Sequence, residues 1–334
     1  MKFLGVDVGA SKTHALLCDA EGKVLGFSSA QGGNPETVGY AGLTLAMQAA
    51  IQQALFTSGI AVDEITVAGF GIAGYDWPHQ YPEVLAAVQS LGLINAQLII
   101  ENDAIPPIMA GTNAGWGISA CVGTGNNVRG VDQQGRTARI TGNSAAFGEY
   151  GGASEIMQSV LPRLAWMWTG RGKHTTLAEI LVADCEASDL ADLLEGLVQG
   201  KYQLSANQAP LVVQAAMQGD LVAIEVVTWN AEELAQSVLA VARQLDLLDI
   251  PFDVVMSGHL FEAAVYQQAF RSKVFQSAQK AQFQLLSLPP VVGAVLLAIR
   301  ANGLDIQKPR AGFLTTDFSI LLSKIAPKIR KTAY

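Results

Sequence analysis

The feature that most constrains this sequence is an internal repeat. In each copy an apolar strand enters a glycine-rich turn, a second strand follows, and an Asp-x-x-Gly turn closes the unit. The first copy comprises Phe3 to Val8, Gly9-Ala10-Ser11-Lys12, His14 to Asp19 and the turn Asp19 to Gly22. The second comprises Ile118 to Val122, Gly123-Thr124-Gly125-Asn126-Asn127 and a hairpin that turns at Asp132 to Gly135. Gly9 precedes Asp19 by ten residues, and Gly123 precedes Asp132 by nine. Such a repeat indicates two similar lobes.

The order of elements around the repeat predicts an α/β fold. After the first hairpin, the apolar spacing predicts a third strand at 23–28, a helix near 38–57, a strand at 65–72, a helix near 81–91 and a strand at 97–101. Later, 153–248 is mostly helical, 252–256 is a strand and 291–301 is a helix. We therefore expect an N-terminal lobe at 1–113 and a C-terminal lobe at 114–314. A helix at about 315–334 is expected to pack back on the first lobe.

The two glycine-rich turns are candidate phosphate sites. Backbone N–H groups converge on an anion only where no Cβ intrudes, so such turns need glycine. The candidate residues are Gly9, Ala10, Ser11, Lys12 and Thr13 in the first copy and Gly123, Thr124 and Gly125 in the second. Lys12 offers a point charge, and Asp7 precedes the first turn at a place suited to hold Mg²⁺ through water. Taken singly, either turn also fits a plain structural hairpin, and the duplication favours the phosphate interpretation.

Asp103 is the candidate catalytic base. It follows the apolar strand Leu98-Ile99-Ile100, where the chain leaves the core. A carboxylate in that position can accept the proton of an attacking hydroxyl in phosphoryl transfer. The alternative is that Asn102-Asp103 caps a helix that begins near Ala104.

With these motifs in order, the sequence resembles the superfamily of actin, sugar kinases and heat-shock chaperones, and within it the N-acetylglucosamine kinase and BadF/BadG/BcrA/BcrD ATPase family. The resemblance runs from the first turn through Asp103 and the second turn to Val255-Met256-Ser257-Gly258-His259 and Gly293-Ala294-Val295. It implies two ribonuclease-H-like lobes of the actin-like ATPase fold, with a nucleotide and sugar cleft between them. It also implies ATP and Mg²⁺ as cofactors, Asp103 as the base, and Ser257 and Gly258 beside the nucleotide.

The resemblance also implies a sugar as substrate. Gly32-Gly33-Asn34-Pro35 is similar to the loop in which amino-sugar kinases place an Asn on the sugar, so Asn34 is a candidate sugar ligand together with Asp103. Glu149 stands where these kinases carry an Asp, and the tryptophan of their Gly-Gly-Trp-Gly motif is replaced in Gly142-Asn143-Ser144-Ala145. N-acetylglucosamine, glucosamine, N-acetylmuramic acid and glucose all remain open as substrates.

Two other classes share this scaffold. An activator ATPase of a CoA dehydratase or reductase would hold an iron–sulfur cluster between two subunits, which requires two cysteines from each chain. Cys121 lies near the second turn, but the next cysteine is Cys185. A non-catalytic sugar sensor would carry an added DNA-binding domain, for which the first strand at Phe3 leaves no room. A sugar kinase is therefore the favoured interpretation.

Composition limits the partners. Only 15% of the residues are charged, against about 25% in an average protein, so much surface is expected to be buried, and a homodimer is expected. The net charge of −8 argues against nucleic acid. The uncharged stretch from Ala104 to Val128 is broken by Pro106, Pro107 and glycines, and the N-terminus has no apolar run of signal-peptide length. We therefore expect a cytoplasmic protein that does not contact a membrane.

Overall fold

The computed structural model of the protein describes residues 1–321 and 323. The chain forms two compact units. The first contains Met1–Gly117, Gln133–Gly135 and the described residues from Gln284 onward, and the second contains Ile118–Asp132 and Arg136–Phe283. The predicted lobe boundaries at 113/114 and 314/315 stay predictions, and most of the helix predicted at 315–334 lies outside the described residues.

The strands are β1 (Lys2–Val8), β2 (Lys12–Asp19), β3 (Val24–Gln31), β4 (Ile65–Ile72), β5 (Gln97–Asn102), β6 (Gly117–Val122), β7 (Asn126–Val131), β8 (Thr137–Arg139), β9 (Phe252–Ser257) and β10 (Ala281–Leu285). The helices are α1 (Pro35–Ser58), α2 (Tyr81–Gln89), α3 (Ile105–Gly111), α4 (Ala153–Trp168), α5 (Leu177–Asp184), α6 (Leu190–Gln199), α7 (Ala209–Met217), α8 (Leu221–Gln244), α9 (Ala264–Phe275), α10 (Pro290–Ala301) and α11 (Gln307–Leu314).

The two sheets have the same topology. The first runs β3-β2-β1-β4-β5, and the second, read from its other edge, runs β8-β7-β6-β9-β10. In the first, β1 pairs antiparallel with β2 and parallel with β4. In the second, β6 pairs parallel with β9, the counterpart of β4. The predicted α/β class with two lobes of one topology is therefore confirmed.

Both faces of β1 are covered, which explains its almost continuous apolar sequence. Leu4, Val6 and Val8 belong to a core cluster that includes Leu43 and Met47 of α1. On the opposite face Gly5 lets α10 approach the sheet, since a Cβ there would lie 2.6 Å from the Val295 nitrogen and 2.7 Å from the Val291 oxygen. Because side chains alternate along a strand, Asp7 points to the same face as Gly5.

The sequence analysis gave the helix α3 only as an alternative, in which Asn102-Asp103 caps a helix that begins near Ala104. The helix forms, and Pro106 and Pro107, which were interpreted as a break in an apolar run, lie in its first turn, where a helix tolerates them. Arg310 then donates to the Met109 and Thr112 carbonyls and so satisfies the end of this short helix. The edge strand β10 was missed because its alternate residues are exposed and polar.

Within the described part of the chain, no single helix is both long enough and apolar enough to cross a membrane. The stretches Ala206–Met217 and Leu221–Gln244 reach that length and composition only when they are added together across a bend of 117°.

Candidate functional site

The first glycine-rich turn is a tight hairpin braced by a diglycine. Gly9 N–H donates to the Lys12 carbonyl at 2.8 Å, and Gly33 N–H donates to the Gly9 carbonyl at 3.1 Å. A Cβ on Gly32 would lie 2.9 Å from the Ser11 nitrogen and closer still to the Ala10 carbonyl, so only glycine fits. The turn residues from Ala10 to Lys12 are exposed, as an anion site requires.

Thr13 and His14 continue this turn into β2 with buried polar atoms. The Thr13 Oγ1 and the His14 Nε2 are both buried, and neither has a hydrogen-bond partner among the described residues. Burial, and to a lesser extent the charge of Lys12, lowers the pKa of His14 to about 4, so its imidazole is neutral at physiological pH. The ring stacks on Phe27 with a centroid separation of 5.8 Å.

The second turn is braced in the same way within its own unit. Gly123 N–H donates to the Gly125 carbonyl at 2.8 Å. The first N–H groups of α4 then hold the turn, because Ala153 donates to the Gly123 carbonyl at 3.0 Å and Ser154 to the Thr124 carbonyl at 2.8 Å. A Cβ on Gly152 would collide with the Gly125 carbonyl, whereas the Cβ positions of Gly123 and Gly125 themselves face open space.

Ser257 and Gly258 lie beside this second turn. Ser257 is the last residue of β9 and pairs with Cys121 of β6. Val122, the last residue of β6, follows Cys121 and leads into the second turn. Gly258 has φ of +117°, and a Cβ there would lie 2.8 Å from the Val122 carbonyl carbon. The residues that were predicted to hold the nucleotide from the second lobe are therefore neighbours.

Asp7 and Asp103 form a pair of carboxylates at the carboxyl ends of β1 and β5. Burial first, and the nearby charge of Asp103 second, raise the pKa of Asp7 to about 8. A carboxylate whose ionised form is disfavoured by burial and by a neighbouring carboxylate is stabilised by a hard divalent cation, so Asp7 fits a Mg²⁺ site.

Asn102 holds the turn that leads into α3. The Asn102 Oδ1 accepts from the Ala104 N–H at 3.0 Å, and its Nδ2 donates to the Tyr75 carbonyl at 3.1 Å and to Asp76 Oδ1 at 3.3 Å. Asn102 therefore has the local structural role that the alternative interpretation gave to Asn102 and Asp103 together.

The two further sugar-ligand candidates have clear local roles. Asn34 caps α1, since its Oδ1 accepts from the Glu36 N–H at 2.9 Å, so a sugar would be bound through Nδ2. The Glu149 carboxylate accepts from three backbone N–H groups of the loop Thr141, Gly142 and Asn143, at 2.6, 2.9 and 3.0 Å. Asn126 Nδ2 donates to the Glu149 carbonyl at 3.3 Å, which ties this loop to the second turn.

Glu155 is a site residue that the sequence analysis missed. Its fully buried carboxylate accepts from the Gly152 N–H at 2.8 Å, from Asn126 Nδ2 at 3.3 Å and from the Ser144 hydroxyl. The available signal was its position three residues after a helix-starting glycine, where a Glu side chain reaches back to the first N–H groups. Glu149 and Glu155 together attach the loop 141–144 to the second turn.

Each unit thus presents a braced turn at the edge of a five-stranded sheet of one topology, which is the architecture of the actin-like ATPases. The profile of the BadF/BadG/BcrA/BcrD ATPase family matches residues 4–298. The chain belongs to that family. The family resemblance inferred from the motifs is therefore confirmed.

Individual relatives agree in fold and length. The chain is 24% identical over 313 residues to a Dictyostelium discoideum N-acetyl-D-glucosamine kinase, covering 90% of this chain and 98% of the relative. It is 25% identical over 308 residues to a Clostridium acetobutylicum N-acetylmuramic acid/N-acetylglucosamine kinase, covering 89% and 98%. A ROK family glucokinase from Streptomyces griseus, solved in complex with glucose and AMPPNP, aligns with a TM-score of 0.58 at 18% identity over 90% of this chain and 100% of that chain. At that identity the likeness shows the fold alone.

Proposed function

We propose that this protein transfers the γ-phosphoryl group of ATP to a hydroxyl of an amino sugar. The observation that carries the proposal is the pairing of Asp103, which follows β5, with the buried Asp7, whose pKa is raised to about 8 by burial first and by the charge of Asp103 second. A carboxylate held at the end of a strand is suited to accept a proton from an attacking hydroxyl. The names of the two curated kinases support an amino sugar as the acceptor.

Within the first unit, Asp103 orients the sugar hydroxyl and accepts its proton, and Asp7 holds Mg²⁺ through water. When bound, Mg²⁺ neutralises charge on the phosphates. The exposed residues Ala10, Ser11 and Lys12 offer backbone N–H groups and one ammonium to those phosphates, and Gly9 and Thr13 hold the two ends of the turn. The buried Thr13 hydroxyl, which lacks a partner among the described residues, is suited to the same ligand.

Within the second unit, Thr124 and Gly125 contribute N–H groups, Gly123 closes the turn through its own N–H, and Ser257 and Gly258 line the nucleotide. The open space at the Cβ positions of Gly123 and Gly125 supports this assignment, since a phosphate can approach the backbone there. Asn34 donates to a sugar hydroxyl from Nδ2. Glu149 has one accepted hydrogen bond at Oε1 and two at Oε2, so its Oε1 is the oxygen suited to a sugar hydroxyl.

The substrate set is N-acetylglucosamine, N-acetylmuramic acid, glucosamine and glucose, with the first two supported by the curated relatives. We also propose a cytoplasmic homodimer, on the basis of the low content of charged residues, 15%. Sedimentation of the purified protein tests the dimer directly.

The activity is tested by coupled ADP release over glucose, glucosamine, N-acetylglucosamine, N-acetylmannosamine and N-acetylmuramic acid. We expect one or two amino sugars to stimulate ADP release strongly. Asp103→Asn should lower kcat by on the order of 10² to 10⁴-fold while ATP still binds, the usual contribution of a positioned base. Asp63→Asn, an exposed acid in the same unit, is the matched control and should be fully active. Equal ATP hydrolysis with and without every sugar would overturn the kinase proposal in favour of an activator ATPase.

A further inference from the structure

A cavity lined by several charged side chains lies within the second unit, at the C-terminal end of α4 and the N-terminal end of α8. Its volume is about 310 Å³, and it is lined by Arg163, Trp166, Arg171, Lys173, Val222 and Glu225. A buried hydrogen bond of 3.1 Å from Asn230 of α8 to Ser159 of α4 holds the two helices together. A more open cavity of about 440 Å³ adjoins it and shares Lys173 and Glu225.

The cavity is far from the second glycine-rich turn along α4. Ala153, the first residue of α4, contacts that turn, and Trp166 comes thirteen residues later on the same helix. At 1.5 Å per residue the separation along the helix is about 20 Å. No residue that we assign to the sugar or the nucleotide lines the cavity.

The charge of this cavity is positive in a chain whose net charge is −8. Three cations face one carboxylate, and the only ion pair among these four residues joins Arg163 Nη2 to Glu225 at 3.7 Å. Arg171 and Lys173 make no ion pair within the described residues. Asp220 is nearby in the fold, but its carboxylate is already bonded to Thr175, Thr176 and the Ala223 N–H.

The two arginines of the cavity pack against the Trp166 ring, whereas Lys173 is exposed. The Arg163 and Arg171 guanidinium carbons lie 5.3 and 5.4 Å from the centre of the Trp166 ring. The backbone of Arg171 and Gly172 folds back on the helix end, since both N–H groups donate to the Trp166 carbonyl, at 2.8 and 3.0 Å. The buried Nε of Arg163 has no hydrogen-bond partner among the described residues.

Cations that follow a helix C-terminus also interact favourably with its dipole. That effect explains a preference for Arg171 and Lys173 at this point in the chain. It does not apply to Arg163, which lies on the wall of the same cavity and whose Nη1 donates to the Ser159 carbonyl at 3.1 Å. An anion in the cavity would face all three cations.

We propose that this cavity binds a small phosphate-bearing anion. Guanidinium groups match the oxygens of phosphate in a bidentate manner, and Lys adds a point charge. Glu225 is placed to accept a hydroxyl of an attached sugar and would repel a second acidic group. The phosphate monoester is the recognised chemistry, and it has two sources: free inorganic phosphate and a phosphorylated sugar.

Isothermal calorimetry without ATP tests the proposal, using inorganic phosphate, N-acetylglucosamine 6-phosphate and unphosphorylated N-acetylglucosamine as probes. The test variant is Arg171→Gln/Lys173→Gln, whose two positions are exposed. The matched control is Arg243→Gln/Lys280→Gln, which removes two exposed cations of the same unit away from the cavity. Circular dichroism and urea unfolding verify that both variants fold.

We expect the phosphate probes to bind the unaltered protein, with affinity that falls as salt rises. Affinity should fall on the order of tenfold for each cation removed, the loss of a charge-assisted hydrogen bond. The control should bind like the unaltered protein.

Tighter binding of the sugar phosphate identifies the phosphorylated sugar as the occupant, and equal binding identifies the free ion. Undiminished binding in the test variant, an equal loss in the control, or no binding of either phosphate probe to the unaltered protein would overturn the proposal. The measurement needs no turnover, so it is independent of the kinase activity.

Discussion

Replacing Gly258 by alanine tests whether the close approach of β9 to β6 holds the proposed nucleotide edge. The backbone at Gly258 has φ +117° and ψ 157°, a region that is essentially restricted to glycine. A methyl group there would also lie 2.8 Å from the Val122 carbonyl carbon and closer still to its oxygen. The strand ends must therefore separate at the pair Cys121 and Ser257.

The expected loss of stability combines two terms. Backbone strain in this region costs about 1 to 3 kcal/mol, and forcing a group into packed space costs about 1 to 3 kcal/mol. The free energy of unfolding should thus fall by about 2 to 6 kcal/mol. The Kd for an ATP analogue should rise by on the order of 10- to 100-fold, since an ångström-scale displacement of binding groups has effects of that size.

The matched control is Gly200→Ala at the end of α6. Gly200 also has a positive φ of 75°, but nothing lies within 4 Å of its Cβ position. This variant should lose only the strain of a left-handed residue, about 1 to 2 kcal/mol, and should bind the analogue normally. Urea unfolding followed by tryptophan fluorescence, together with calorimetry, measures both quantities. If Gly258→Ala lost no more stability than Gly200→Ala and bound the analogue equally well, the reasoning from the β6–β9 contact would be refuted.

Three further predictions concern buried polar groups. Asp7→Asn should raise the Mg²⁺ requirement. In EDTA at pH 7 it should also raise the free energy of unfolding by up to about 4 kcal/mol, because the folded protein keeps the proton on Asp7 up to its pKa of about 8, whereas the unfolded chain loses that proton above pH 4. Unchanged stability and metal requirement would contradict this. His14→Gln should flatten the pH dependence of stability. His14 has a pKa of about 4 in the folded protein and stays neutral there, while in the unfolded chain it takes up a proton, so the free energy of unfolding of the unaltered protein falls by up to about 3 kcal/mol between pH 6.5 and pH 4. Parallel pH profiles for the two proteins would rule this out. Glu155→Gln should lower the free energy of unfolding by about 1 to 3 kcal/mol and weaken the binding of an ATP analogue, since Ser144, Asn126 and Gly152 all donate hydrogen bonds to the Glu155 carboxylate. Normal binding would limit Glu155 to a structural role.

The sequence predicted the fold well because its strongest signals are local. Continuous apolar strands such as Ile65–Ile72 are determined by burial, which the sequence shows within a few residues. The spacing of Gly9 to Asp19 and of Gly123 to Asp132 then indicated two units of one topology, which the strand orders confirm.

The site was less predictable because several side chains act across long sequence separations. Glu155 bonds to Asn126, and Glu149 bonds to the loop at Thr141, and neither pairing follows from local spacing. The structural role of Asn102 also could not be predicted without the positions of Tyr75 and Asp76, to which its side chain donates. The roles of Asp7, Asp103, Asn34 and Glu149 in catalysis and sugar binding stay predictions until the variants are measured.

The two glycine-rich turns differ in sequence, but in each unit a diglycine packs against the backbone of the turn. In the first unit Gly32-Gly33 closes on the turn just before α1, and in the second Gly151-Gly152 closes on the turn just before α4. In both, the chain passes so close to the turn that a side chain on one of the two glycines would collide with its backbone. A turn whose carbonyls are bonded from behind keeps its N–H groups directed outward, and this pre-orders it for an anion before one binds. The physical requirement that both copies of the repeat meet is therefore the diglycine behind each turn, and the residues of the turn itself differ between the two units.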